Sequence, residues 1–137
     1  FYLRMLKVAK VLFKNAEDKY LVLFRNNHPL FGNSMDLPGG TVEKGETLED
    51  GALREVREES GIELTGDMLN LLEKTRKYSR VGTLYALYAV QLQETPDVVL
   101  SWEHSRYAWV SKDDFILGVR QTNDKFLQMA IDSIEKH

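Results

Sequence analysis

The chain of 137 residues contains no cysteine, which excludes disulfides, thiolate metal sites and a cysteine nucleophile. Any metal must therefore be held by oxygen or imidazole. Proline is scarce, at three residues, so few positions are barred from regular structure. No apolar run approaches the ~20 residues needed to cross a bilayer, and the amino-terminal stretch lacks a basic-then-apolar leader pattern. These absences point to a soluble, cytoplasmic protein with no membrane partner, and Met5 is a candidate natural start. Positive charge is not in excess either. The formal net charge is −3, so no overall basic field invites nucleic acid, which argues against RNA as the substrate. What remains is ordinary globular usage, 43% hydrophobic and 28% charged, enough for one domain over residues 1–137.

Strand-like runs at residues 3–13 and 20–24 flank the polar stretch NAEDK and predict a hairpin. Residues 25–34 carry Asn, His, Pro and Gly and read as loop, leading to a short strand at 35–37 and the pair Gly39, Gly40. Thr47 can cap a helix over 48–60 with Asp50 at its third position, and Gly61 is placed to end it. Residues 69–78 and 83–92 flank SRVG as a second hairpin. Residues 98–100 read as extended and 107–110 as a short strand. Ser111 caps a brief turn at 112–115. Phe126, Leu127, Ala130, Ile131 and Ile134 form the apolar stripe of a carboxyl-terminal helix starting near Thr122. The order predicts an α/β (α+β) fold, a mixed β-sheet with helices packed on its faces.

One stretch concentrates like charge. At ~100° per residue, Glu58 and Glu59 lie about 60° and 40° to either side of Glu55 on the 48–60 helix. Three carboxylates thus share one stripe, beside the apolar face of Leu48, Ala52 and Val56. Unpaired, they repel at i,i+3 and i,i+4 spacing. A run of Glu and Arg is usually a solvated helix face. Here the surroundings favour a hard-oxygen site for Mg²⁺ or Mn²⁺, ions that take carboxylates and keep waters and phosphate oxygens in their remaining positions.

From Gly40 the pattern runs five residues to Glu46, seven to Arg54, then Glu55, Val56, one residue, Glu58, Glu59, one residue, Gly61 and Ile62. It resembles the Nudix box, the signature of the Nudix hydrolase family, with no departure at any specified position. The resemblance implies an α/β/α sandwich whose sheet is flanked by the box helix and a carboxyl-terminal helix. It also implies a pyrophosphohydrolase cleaving a nucleoside diphosphate linked to another moiety. By the same resemblance Glu55, Glu58 and Glu59 are metal ligands, Gly40 offers its carbonyl to the metal, and Arg54 and Glu46 pair to brace the loop. Nucleoside triphosphates, oxidised ones included, are the first substrate class. Dinucleoside polyphosphates are the alternative, because Tyr78 stands sixteen residues beyond Ile62. A non-catalytic nucleotide- or RNA-binding module is a further reading. Isopentenyl diphosphate isomerase chemistry would want a cysteine. A homodimer is implied by analogy only.

The general base lies within reach of the attacking water; the resemblance, in which an extra acid stands in the loop before this strand, makes Glu103 in SWEHSRYAWV the first candidate, with His104 beside it and Glu58 as alternatives. Glu43 is a candidate ligand for a second ion. For the nucleobase the eligible aromatics are Phe24, Phe31, Tyr78, Tyr85, Tyr88 and Trp109, although aromatics in strands are core residues more often than platforms. Arg25 is the first candidate for phosphate, followed by Arg76, Lys77 and Arg80. The expected substrate-binding set is Arg25, Phe31, Tyr78 and Trp109.

Overall fold

The computed structural model describes residues 6–25 and 35–136; of the loop expected over 25–34, Arg25 is the last residue of a strand instead, since it still pairs with His104, and the rest, Phe31 included, lies outside the described residues. Among these, seven strands form one mixed sheet: β1 (Lys7–Lys14), β2 (Tyr20–Arg25), β3 (Met35–Asp36), β4 (Gly39–Thr41), β5 (Asn70–Thr75), β6 (Leu84–Gln91) and β7 (His104–Val110). Three α-helices accompany it: α1 (Leu48–Ser60), α2 (Lys112–Val119) and α3 (Lys125–Glu135).

β1 sits at the centre because its side chains are apolar on both faces, the pattern of a strand covered on both sides. It pairs in parallel with β6 along its whole length, from Lys7 opposite Leu84 to Lys14 opposite Gln91. Its other edge pairs with β4 through Val8, Ala9 and Lys10. β2 meets β1 only at Tyr20 opposite Lys14, then turns to β3 and β7. The hairpin expected at NAEDK therefore joins two strands that diverge after their first pair, and the sheet opens between them.

Alternate side chains of β1 feed two cores. Ala9, Val11 and Phe13 join Leu21, Ala86, Tyr88 and Val90 under Ala52 and Val56 of α1. Leu12 joins Val22, Leu87 and the apolar faces of α2 and α3, from Phe115 to Ile134. Each fully buried Leu, Val or Phe stabilises by about 1.5–3 kcal/mol relative to exposure. Two layers of helix on one sheet is the predicted sandwich.

α1 keeps its expected bounds. The Thr47 hydroxyl accepts from the Asp50 N–H at 3.0 Å, and Gly61 closes the helix at φ 75°, donating its N–H to the Arg57 carbonyl. Four elements depart from expectation. Gly39–Thr41 is a strand that the sequence reading did not assign, because β1 supplies the pairing that two glycines do not advertise. α2 runs to Val119, beyond the brief turn at 112–115, since Phe115 and Val119 both reach the core. β7 starts at His104, three residues early. Residues 98–100 form no strand; Val99 donates instead to the Ser60 carbonyl at 2.8 Å.

Candidate active site

The box helix meets the glycine pair across a short gap. Gly39, at φ 137°, lies so close to β1 that a Cβ there would collide with the Ala9 carbonyl. At Gly40 the neighbour is different: a Cβ would sit 2.7 Å from Glu55 Oε2, so the carboxylate fills the space that a side chain would take. Glu59, one turn further, is buried and accepts the Gly39 N–H on Oε1 at 3.0 Å. β4 is thus a bare backbone ledge beneath two acids of α1.

Arg54 braces the same helix. Its Nε and Nη2 donate to the two oxygens of Glu46 at 2.8 and 2.9 Å, a bidentate pair across eight residues. Nη2 also reaches the Thr41 carbonyl at 3.1 Å, Nη1 reaches Glu55 Oε1 at 2.9 Å, and Glu43 stands 3.4 Å from Nε. These bonds hold the Glu46 carboxyl well down, to about 2, and the guanidinium pushed up. Glu58 is the outermost acid, with 54% of its side chain exposed and one oxygen 3.3 Å from Arg54 Nη1.

Burial acts in the opposite sense on the inner acids. Desolvation pushes the Glu59 carboxyl up to about 7, against the opposing pull of the Gly39 N–H. Burial also raises Glu55, and the negative charges of Glu58 and Glu103 add to it. Glu103 lines the same cleft as Glu55 although 48 residues separate them in the chain.

Glu55, Glu59 and Glu103 line one cleft of about 710 Å³, together with Gly39, Gly40, Lys10, Arg25, Asp36, Trp102 and His104. Its floor is a buried ionic cluster that sequence reasoning did not find. Asp36 bonds the Lys10 ammonium, meets His104 Nε2 at 3.0 Å and Arg25 Nε at 3.4 Å, and takes the Leu37 N–H at 2.9 Å. Burial would raise the Asp36 carboxyl, but Lys10, His104 and Arg25 together hold it well below the usual carboxylate range. No local pattern marks these residues, because β1, β2, β3 and β7 bring them together only after folding. The sequence offered one signal, a lysine in the apolar run of β1. His104, read as a candidate base, is buried in this cluster, and its Nδ1 has no hydrogen-bond partner.

The other expected contacts are placed elsewhere. Tyr78 packs against the core shared with α3, and Tyr85 stacks edge-on against Phe126 at 5.1 Å. Tyr88 is buried and donates to Glu49 at 2.8 Å. Trp109 is partly buried in the core beneath α1, opposite Leu21. The Phe24 ring is covered by the Arg106 guanidinium at 3.9 Å. Arg76 closes the β5–β6 turn on the Gly82 carbonyl at 2.6 Å. None of these side chains lines the cleft.

The donors fit a hard divalent cation. Glu55 and Glu59 present carboxylate oxygens, β4 presents backbone, and nothing nearby offers sulfur. Among the described residues no group of three or more Asp, Glu or His side chains forms a ready ion cage. Glu59 is turned to Gly39, and Arg54 lies against Glu55 and Glu58. An ion that keeps several waters and borrows substrate oxygens needs no such cage.

Known proteins resemble the chain in sequence and fold. A model of the NUDIX domain matches residues 4–130. The nucleoside triphosphatase NudI of Salmonella agona is 31% identical over 111 residues, 73% of this chain and 79% of that one. The dihydroneopterin triphosphate diphosphatase of Escherichia coli K12 is 28% identical over 123 residues, covering 80% and 79%. The solved MutT protein of Methanosarcina mazei Go1 superposes with a TM-score of 0.73 at 25% identity, over 96% of this chain and 94% of that one. Family match and relatives agree, and the chain belongs to the NUDIX domain family as a pyrophosphohydrolase.

Proposed function

We propose that the chain hydrolyses nucleoside triphosphates to the monophosphate and pyrophosphate, with Mg²⁺ or Mn²⁺. The observation that carries this reading is the cleft itself, where Glu55, Glu59 and Glu103 face one space with Arg25 beside them. The triphosphate class is supported by relatives whose names place them on nucleoside and dihydroneopterin triphosphates. Tyr78 lies against the α3 core and lends nothing to a dinucleoside polyphosphate reading.

Glu55, Glu58 and Glu59 would hold the cation with the Gly40 carbonyl. When bound, it would screen the polyphosphate, lower the pKa of a water and stabilise the leaving phosphate. Arg54 and Glu46 lock the loop to α1 and so fix Glu55 against Gly40. Arg25 contributes a guanidinium to a phosphate oxygen. Glu103 accepts a proton from the attacking water as its oxygen bonds to phosphorus. The bridging P–O bond breaks, and pyrophosphate departs with the electron pair. His104 and Asp36 set the start of β7 and hence the position of Glu103.

The test is a panel of nucleoside triphosphates, dinucleoside polyphosphates and ADP-ribose with Mg²⁺ or Mn²⁺, identifying products for wild type, Glu59→Gln and Glu103→Gln. Monophosphate plus pyrophosphate from triphosphates is expected. Removing the base should lower kcat by about 10²–10⁴-fold. A wild type inactive on every triphosphate, or variants as fast as wild type, would sink the reading.

A further inference from the structure

A second cavity, of about 460 Å³, opens between the sheet and the carboxyl-terminal end of α3, and it shares no lining residue with the cleft. Leu12, Leu72, Ala89 and Ile134 supply apolar walls, the kind of surface that water leaves and an apolar body fills. The polar groups gather at one end. There β2 pairs Tyr20 with Lys14 on one side and with Val110 on the other, two residues before Lys112, and all three polar residues line the cavity.

Tyr20 is only 9% exposed, and its ring is fixed against Phe115 with centroids 5.4 Å apart. Its hydroxyl has no hydrogen-bond partner among the described residues, although a buried tyrosine O–H usually finds one. Burial raises the hydroxyl's pKa and Asp18 adds to it, so at neutral pH the group is a donor. Lys14 is offset by Asp18 at 3.7 Å. Lys112 makes no ion pair among the described residues. Two lysines against one aspartate leave this end cationic.

We propose that the cavity binds a small organic anion, its apolar acyl or aromatic body against Leu12, Leu72 and Ile134 and its carboxylate between the Tyr20 hydroxyl and the two lysines. This goes beyond the hydrolysis reading and does not rest on it. Taken singly, an exposed lysine is a solvated surface group and an apolar hollow is a packing gap. Together with a donor in so buried a side chain they ask for one ligand. Water would satisfy the hydroxyl but leave the walls wet, and a neutral apolar molecule would fill the walls but waste the charge. An amphiphilic carboxylate meets both, and because the two sites share no residue it binds together with substrate.

The experiment titrates octanoate into the folded protein, with octanol as the uncharged counterpart, following Tm and the displacement of the fluorescent probe anilinonaphthalene sulfonate. Octanoate raises Tm, as a ligand of the folded state does, and displaces the probe; octanol at the same concentration does neither. Tyr20→Phe keeps the ring, so it folds, and it weakens octanoate roughly 2- to 10-fold, the worth of one hydrogen bond. Lys112→Glu, at an exposed position, also weakens octanoate and reduces the salt dependence of its binding. ATP with Mg²⁺ leaves the bound probe in place. Octanoate without effect on Tm or probe overturns the proposal, as do variants that bind it as tightly as wild type. Octanol equal to octanoate would reduce the cavity to a bare apolar hollow, and probe displaced by ATP would place the ligand in the cleft; either result sinks the anion site.

Discussion

Glu59 shows what burial does to a single acid. Its carboxyl, ordinarily at 4.5, is pushed up to about 7 by desolvation. The folded state thus holds the proton more tightly than the unfolded chain. Stability from this group is present below about pH 4.5 and is lost as pH rises through about 7, by about 3 kcal/mol in total. Metal-free protein should show a falling contribution to Tm between pH 5 and 8. Mg²⁺ or Mn²⁺ should restore Tm more at pH 8 than at pH 5, because a cation favours the ionised form. Glu59→Gln should flatten both dependences. Thermal melts across that range, with and without metal, check this; a slope unaffected by the variant would refute it.

Arg54 has the opposite chemistry. Its two parallel bonds to Glu46 require a planar fork that lysine lacks. Arg54→Lys should lower kcat by about 10–100-fold, the usual cost of losing a group that orients a ligand. Glu46, held at about 2 by Arg54, gives stability that is present above its ordinary 4.5 and lost as pH falls toward 2. The acid limb of the melting profile should accordingly move to higher pH in the lysine variant.

At the scale of elements, β4 and α1 behave as one unit. The two glycines of β4 should fail in different ways. Gly39→Ala combines a positive φ with a backbone collision, so a large loss of stability is expected, of order 2–4 kcal/mol. Gly40→Ala meets only the end of a flexible glutamate. That variant should fold with near-native Tm yet bind Mn²⁺ more weakly and turn over more slowly. Melting curves beside metal titration separate the two, and equal behaviour would contradict the geometry.

Legibility also differs by element. α1 was readable because its cap, its terminating glycine and its charged stripe all lie within a few turns of chain. β4 was not, since a strand made of Gly39, Gly40 and Thr41 declares itself only through pairing with Val8, Ala9 and Lys10. α2 was cut short at Phe115, because its eight residues are too few for a repeating apolar stripe to show in sequence. Within the site, helical spacing marked Glu55, Glu58 and Glu59, and the resemblance marked Glu103; the cleft gathers Glu55, Glu59 and Glu103, and Glu58 is not among its lining residues. Lys10 and Asp36 were hidden, their partners lying 26 residues apart in chain and one ion pair apart in space.

Across the whole molecule, the cleft draws on α1 and on β1, β2, β3, β4 and β7, and the start of α3 touches its edge, with Asp124 3.7 Å from Arg25 Nη2 and the Phe126 ring 5.4 Å from Lys10 Nζ; the rest of α3 and α2 cover the other core. Leu127→Ala, in a fully buried position of α3, should cost about 2–5 kcal/mol. Below its melting temperature the variant should keep the wild-type KM. Denaturant titration and steady-state kinetics on the same sample test this, and a KM shift would show that the two faces are coupled. Among the described residues no helix is long and apolar enough to cross a membrane.

The parallel register of β1 against β6 carries one further consequence. The strand that seats Gly39 and Gly40 takes its second neighbour from residues 84–91, and Glu103 and His104, at the entry to β7, come later still. During synthesis, a nascent chain that has emerged only through the glutamate signature already possesses every residue of it, yet lacks the scaffold that gives them an address. Catalytic competence therefore arrives late and all at once, and a fragment ending near residue 80 would carry the motif without the site.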